Sequence, residues 1–148
     1  MSEMSEHYVW DGLRAMVRAY IDCALWASNG DGGLEAEYTI DDLALSTLEL
    51  MHEDCAAFAD LDPDDVAAYL NVHNAVQLGQ DFWLTRNGHS AGFWDRGDGL
   101  LGERLTMRAK TFGECLLYVG DNGKVYASMK AFHNNSRRSR AVKSCEEL

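Results

Sequence analysis

The stretch DFWLTRNGHSAGFWDRG, residues 81–97, decides the fold. Asn87-Gly88 at its centre is the favoured dipeptide of a two-residue type I′ turn, whose twist matches that of paired strands. That reading predicts a β-hairpin. Arg86 then faces His89, Thr85 faces Ser90, Leu84 faces Ala91, Trp83 faces Gly92 and Phe82 faces Phe93. A large ring over Gly92 would cover bare backbone. One sheet face would carry Phe82, Leu84, Ala91 and Phe93, and the other Trp83, Thr85, Ser90 and Trp94.

Helices are expected before this hairpin. Leu13, Met16, Val17, Tyr20, Ile21, Ala24 and Leu25 recur at helical spacing within residues 8–27, and SNGDGG at 28–33 ends that run. Thr39 and Asp42 form a T-x-x-D cap for a second helix reaching about Ala59. Ala44, Leu48, Met51, Cys55 and Phe58 share its inner face, and Asp42, Ser46, Glu49 and Glu53 its outer one. Asp62-Pro63 opens a third helix, with Val66, Tyr69, Leu70, His73 and Val76 inward and Gly79 as its stop. Asp98-Gly99 leads into a fourth, carrying Leu101, Leu105, Ala109 and Phe112 and closed by Gly113. A second hairpin follows, with strands at 115–119 and 124–127 joined by Asp121-Asn122-Gly123. The expected class is α+β: N-terminal helices on a small antiparallel sheet, with two hairpins and a helix between them. Residues 1–129 form one domain in this reading, and 130–148 a basic, flexible tail.

The chain has 148 residues, enough for one substantial core, and 47% of them are hydrophobic. The net charge of −11 is unevenly spread. Residues 1–80 hold 16 carboxylates against Arg14 and Arg18 alone, and 31–65 hold 12 with no lysine or arginine. Such asymmetry points to a partner. An acidic ridge can imitate nucleic-acid phosphates and compete for the lysines and arginines that grip them. The residues expected to do so are Asp41, Asp42, Glu49, Glu53, Asp54, Asp60, Asp62, Asp64 and Asp65. The acidic N-terminus MSEMSEHYVW lacks the pattern of a secretory signal, and no apolar run is long enough to span a bilayer. The scattered Cys23, Cys55, Cys115 and Cys145 read as reduced thiols packed as small hydrophobes, in the cytoplasm of a host cell. No cofactor and no metal site is expected, since His52, Glu53, Asp54 and Cys55 are neighbours that diverge on a helix.

Arg86, His89 and Asp95 could form a small catalytic cluster, His89 as general base and Asp95 orienting it. No nucleophile elbow and no phosphate-binding glycine loop accompanies them. The aromatics could stack bases, but Arg86 and Arg96 alone give them no basic surround. Direct nucleic-acid contact is left to the tail residues Arg137, Arg138, Arg140 and Lys143.

Four motifs carry a resemblance. GQDFWLTRNGHSAGFWDRG at 79–97, LGERLTMRAKTFG at 101–113 and LYVGDNGKVY at 117–126, with AYIDCALWAS at 19–28, resemble an element of small acidic proteins encoded by phages, prophages and plasmids. The motif DFWLTRNGHxxGFWDRG marks this family, whose activity is uncharacterised. The chain departs from it in the longer helical segment 56–76 and in the extension after Met129. The resemblance implies a phage-borne setting. With the acidic surface, it leads to the expectation of an inhibitory binding protein acting on a host nucleic-acid-handling defence complex, of anti-CRISPR or anti-restriction type.

Overall fold

The computed structural model describes residues 10, 12–27, 34 and 37–129. The class is α+β, with five helices and one two-stranded antiparallel sheet among these residues. The helices are α1 Leu13–Ala27, α2 Leu45–Leu61, α3 Pro63–Val72, α4 Ala75–Arg86 and α5 Leu100–Lys110. The strands are β1 Cys115–Val119 and β2 Val125–Met129. Short 3-10 turns lie at Ile40–Asp42 and Phe93–Asp95.

The first predicted hairpin is not there, and its N-terminal half is the end of α4. Asn87 closes the helix, its side-chain amide donating to the Trp83 carbonyl. Gly88 follows at φ +73°, the left-handed conformation that terminates helices as readily as it turns hairpins. Phe82 and Phe93 still meet the same core, but across helix and loop. Thr85, rather than Trp83, lies against Gly92, and its hydroxyl accepts from the Phe93 N–H at 3.1 Å. A Cβ on Gly92 would overlap that hydroxyl.

The third helix is also shorter than expected. Asp62 caps it and Pro63 starts it as the sequence indicates, but it ends at Val72. Asn74 and Gln77 then form a reciprocal capping box that starts α4, at 2.8 and 3.1 Å. Gly79 is therefore no stop. It lies inside α4, where a Cβ would collide with the Met16 carbonyl oxygen of α1. The missing side chain lets α1 and α4, the most extensively packed pair of helices, approach closely.

Aromatic rings join the elements at the centre. Phe82 of α4 stacks on Phe58 of α2 at 4.3 Å and on Tyr20 of α1 at 5.1 Å. Phe58 continues to Phe93 at 5.5 Å, and Phe93 meets Tyr69 of α3 edge-on at 5.5 Å. Phe112, just beyond α5, abuts Phe82 at 5.0 Å. Each helix thus anchors to one ring column, directly or through the residue that follows it. The second hairpin forms where the sequence predicts one, with its returning strand at Val125–Met129 rather than 124–127, and Leu117 faces Ala127 and Tyr118 faces Tyr126. The Val125 carbonyl on the outer edge of β2 accepts from the Ala44 N–H and the Thr47 hydroxyl, both at 3.0 Å. That edge is therefore covered by the start of α2.

Candidate partner-binding surface

The nine expected carboxylates divide into three groups. Three are taken by the chain's own arginines. Asp54 turns inward, is 4% exposed, and binds Arg86 at 2.8 Å. Asp65 accepts from Arg104 at 2.9 Å and from Arg108 at 2.6 Å. Asp62 caps α3 and binds Arg108 at 3.0 Å. Hydrogen bonds from Arg104, with further ones from Arg108, hold the Asp65 carboxyl down to about 2. These side chains hold the molecule together and do not belong to a free acidic array. Asp42 is also corrected: it is not on α2 but in the preceding 3-10 turn, where its carboxylate accepts from the Thr39 N–H at 2.8 Å.

Asp41, Glu49, Glu53, Asp60 and Asp64 remain, all exposed and without an ion pair to any described residue. Glu49, Glu53 and Asp60 lie within about 40° of one another around α2, and Glu49 and Asp60 are about 16 Å apart along its axis. They form one acidic stripe, which Asp64 follows at the start of α3. Along one side of the stripe, α1 and α2 enclose a groove of about 790 Å³. Leu13, Val17 and Ile21 line its α1 wall, with Ile40 and Leu48 opposite. Its banks carry opposite charges, Arg14 and Arg18 on α1 and Glu49 on α2. Arg18 pairs along its own helix with Asp22 at 3.3 Å, while Arg14 has no carboxylate partner among the described residues.

The Arg86, His89 and Asp95 cluster does not assemble. Arg86 is buried, whereas His89 and Asp95 are exposed, and no hydrogen bond joins the three. The Asp95 carboxylate accepts from the Gly92 N–H instead. Two further polar contacts were not foreseen. Asp81 accepts from the Tyr69 hydroxyl at 2.7 Å and from Arg96 at 2.7 and 3.1 Å. His73 pairs with Asp98 at 2.9 Å. Both tie the α3–α4 corner to the loop before α5, and neither opens onto a cavity among those described. His52 and Glu53 are exposed while Asp54 and Cys55 are buried, so the four side chains of that run diverge. Cys23, Cys55 and Cys115 are buried, and burial pushes the Cys23 thiol up to about 12, with Asp81 adding to the shift. Cys145 and the tail residues Arg137, Arg138, Arg140 and Lys143 lie outside the described residues. Among the described residues, no helix is long and apolar enough to cross a membrane. No protein-family profile, curated protein or solved structure matches the chain.

Proposed function

We propose that this chain is an inhibitory binding protein whose α2 face competes with nucleic acid for a cationic surface. The partner is a nucleic-acid-handling complex of the kind that anti-CRISPR and anti-restriction proteins target. The observation that carries this reading is the stripe Glu49, Glu53 and Asp60, exposed and without an ion pair among the described residues, on a chain of net charge −11. Like charges one helical turn apart cost a few tenths of a kcal/mol. A cationic partner would remove that cost and gain from steered association. The imitation is sparse. One strand of duplex DNA carries about five phosphates over about 16 Å, against three carboxylates here. The stripe suits a few lysines or arginines, and the adjoining groove supplies apolar area for the rest of the contact.

The test is capture from host lysate by the intact chain and by the triple variant Glu49→Gln, Glu53→Gln, Asp60→Asn, with mass spectrometry of what is retained. The expected result is a nucleic-acid-binding protein held by the native chain and lost by the variant. Its affinity should fall steeply between about 50 and about 500 mM salt. An affinity that stays flat over this range, or equal capture by both proteins, refutes the reading.

A further inference from the structure

The groove of about 790 Å³ between α1 and α2 has the size of a ligand or peptide site. Leu13 and Ile21 of α1 line it as buried residues, and the half-buried Val17, Ile40 and Leu48 give it its apolar surface. Trp10 completes the lining. From Leu13 to Ile21 the α1 wall runs for about 12 Å, a little over two helical turns.

Above this apolar floor the two banks differ in sign. Arg14 and Arg18 are exposed on α1, and Glu49 is exposed on α2. Arg18 is shared with Asp22 at 3.3 Å. Arg14 and Glu49 pair neither with each other nor with any other described residue. His52 also lines the α2 bank and can serve a hydrogen-bond donor or an acceptor.

We propose that the groove receives one amphipathic helix of a partner protein, with acidic side chains on its flank toward α1 and basic ones on its flank toward α2. The apolar stripe of that helix, at i, i+3 or i+4 and i+7, covers Val17, Ile40 and Leu48. Its carboxylate meets Arg14 and its lysine or arginine meets Glu49. The backbone decides for a helix over an extended peptide. Both long walls are helices, whose inner N–H and C=O groups are already bonded within them. An extended segment would bury its own backbone groups against walls that offer no partner, whereas a helix satisfies its own. An anionic amphiphile such as a fatty acid would answer Arg14 and leave Glu49 unanswered. A second copy of this chain would bring two net charges of −11 together. The proposal shares Glu49 with the acidic-stripe reading and does not rest on it, because Glu53 and Asp60 do not line the groove.

The experiment displays a library of helical peptides of about 12 residues, roughly three turns, on which the full chain is the bait. The stripe positions vary among apolar residues and the flank positions among Lys, Glu and Ser. Enriched sequences are then titrated as synthetic peptides, at about 150 mM salt, against the native chain, Arg14→Glu, Glu49→Lys and the double reversal. The enriched peptides should carry Glu on one flank and Lys on the other. Each single reversal should weaken them about fivefold, and the double reversal should restore binding to within about twofold, with the helix lying in the opposite direction. The methyl resonances of Val17, Ile40 and Leu48 should shift when peptide is added to the native chain. Glu53→Gln combined with Asp60→Asn should leave peptide binding unchanged, so the groove and the acidic stripe fail separately. Several outcomes overturn the proposal. They are no enrichment, enrichment of basic flanks on both sides, no rescue by the double reversal, and equal binding by a proline-broken form of the same peptide. Methyl shifts produced by rising chain concentration alone would make the occupant a second copy. The same shifts produced by dodecanoate, with displacement of the peptide, would make it an anionic amphiphile.

Discussion

Arg86 shows how much one side chain can depend on distant sequence. Its guanidinium donates to Asp54 at 2.8 Å, to the Tyr20 hydroxyl at 2.9 Å, and to the Phe112 and Gly113 carbonyls at 2.8 and 2.7 Å. The Phe82 and Phe112 rings lie 5.7 and 5.6 Å from its central carbon. A planar fork with five donors can serve acceptors from α1, α2 and the α5–β1 connection at once, which a lysine cannot. The charge is tolerable in the core only because Asp54 neutralises it. Asp54→Ala should therefore destabilise the protein by about 3–5 kcal/mol, since it strands a buried cation. Asp54→Asn keeps an acceptor and should lose less. Urea unfolding midpoints distinguish the two, and a loss under about 1 kcal/mol for Asp54→Ala would show that Arg86 is not held this way. The position of Asp54 was partly legible, because it lies three residues after Met51 and four before Phe58, on the inner side of α2. Its partner was not. Nothing in local spacing links residues 54 and 86.

At the scale of elements, most misreadings trace to one dipeptide and one glycine. Asn-Gly satisfies both a type I′ turn and a helix C-terminus, because each needs a residue at positive φ. Leu78, Phe82 and Thr85 preceding it fall at helical spacing, and Asn74-x-x-Gln77 is a capping box; together they favour the helix. Where signals do not compete, sequence and structure agree: the Asp62-Pro63 start, the Gly113 stop and the Asp121–Gly123 turn lie where expected, whereas the Thr39–Asp42 box forms but caps the short 3-10 turn before α2 rather than α2 itself. Gly79 and Gly88 now separate two kinds of glycine. Gly88 has nothing within 4 Å of an added Cβ, so Gly88→Ala should cost only the left-handed backbone strain, about 1–2 kcal/mol. Gly79 has ordinary helical geometry, and propensity alone would make alanine there favourable by about 1 kcal/mol. The collision with Met16 should reverse that sign and make Gly79→Ala the more damaging change. Thermal melts of the two variants decide it. A stabilised Gly79→Ala would mean that α1 and α4 are not in contact at this point.

For the whole molecule, charge is sorted by depth. Among the described residues, five arginines, at 18, 86, 96, 104 and 108, bind carboxylates of the chain itself, four of them between elements. The acidic excess is left outside, on α2 and the start of α3. Composition revealed the excess but not this sorting, because an acidic count does not say which carboxylates an arginine can reach. Protonating Asp65 breaks the bonds that join α3 to α5. Its carboxyl is held at about 2, below the ordinary 3.8, so the stability it contributes is present above pH 4 and is lost as pH falls toward 2. The melting temperature of the native chain should therefore decline through that window. Asp65→Asn should start lower at neutral pH, because the clamp has lost its charge, and should show a shallower decline on acidification. If native chain and variant lose stability in parallel from pH 4 to pH 2, the clamp contributes nothing to the acid limb, and the sorting of inner from outer carboxylates has no energetic consequence.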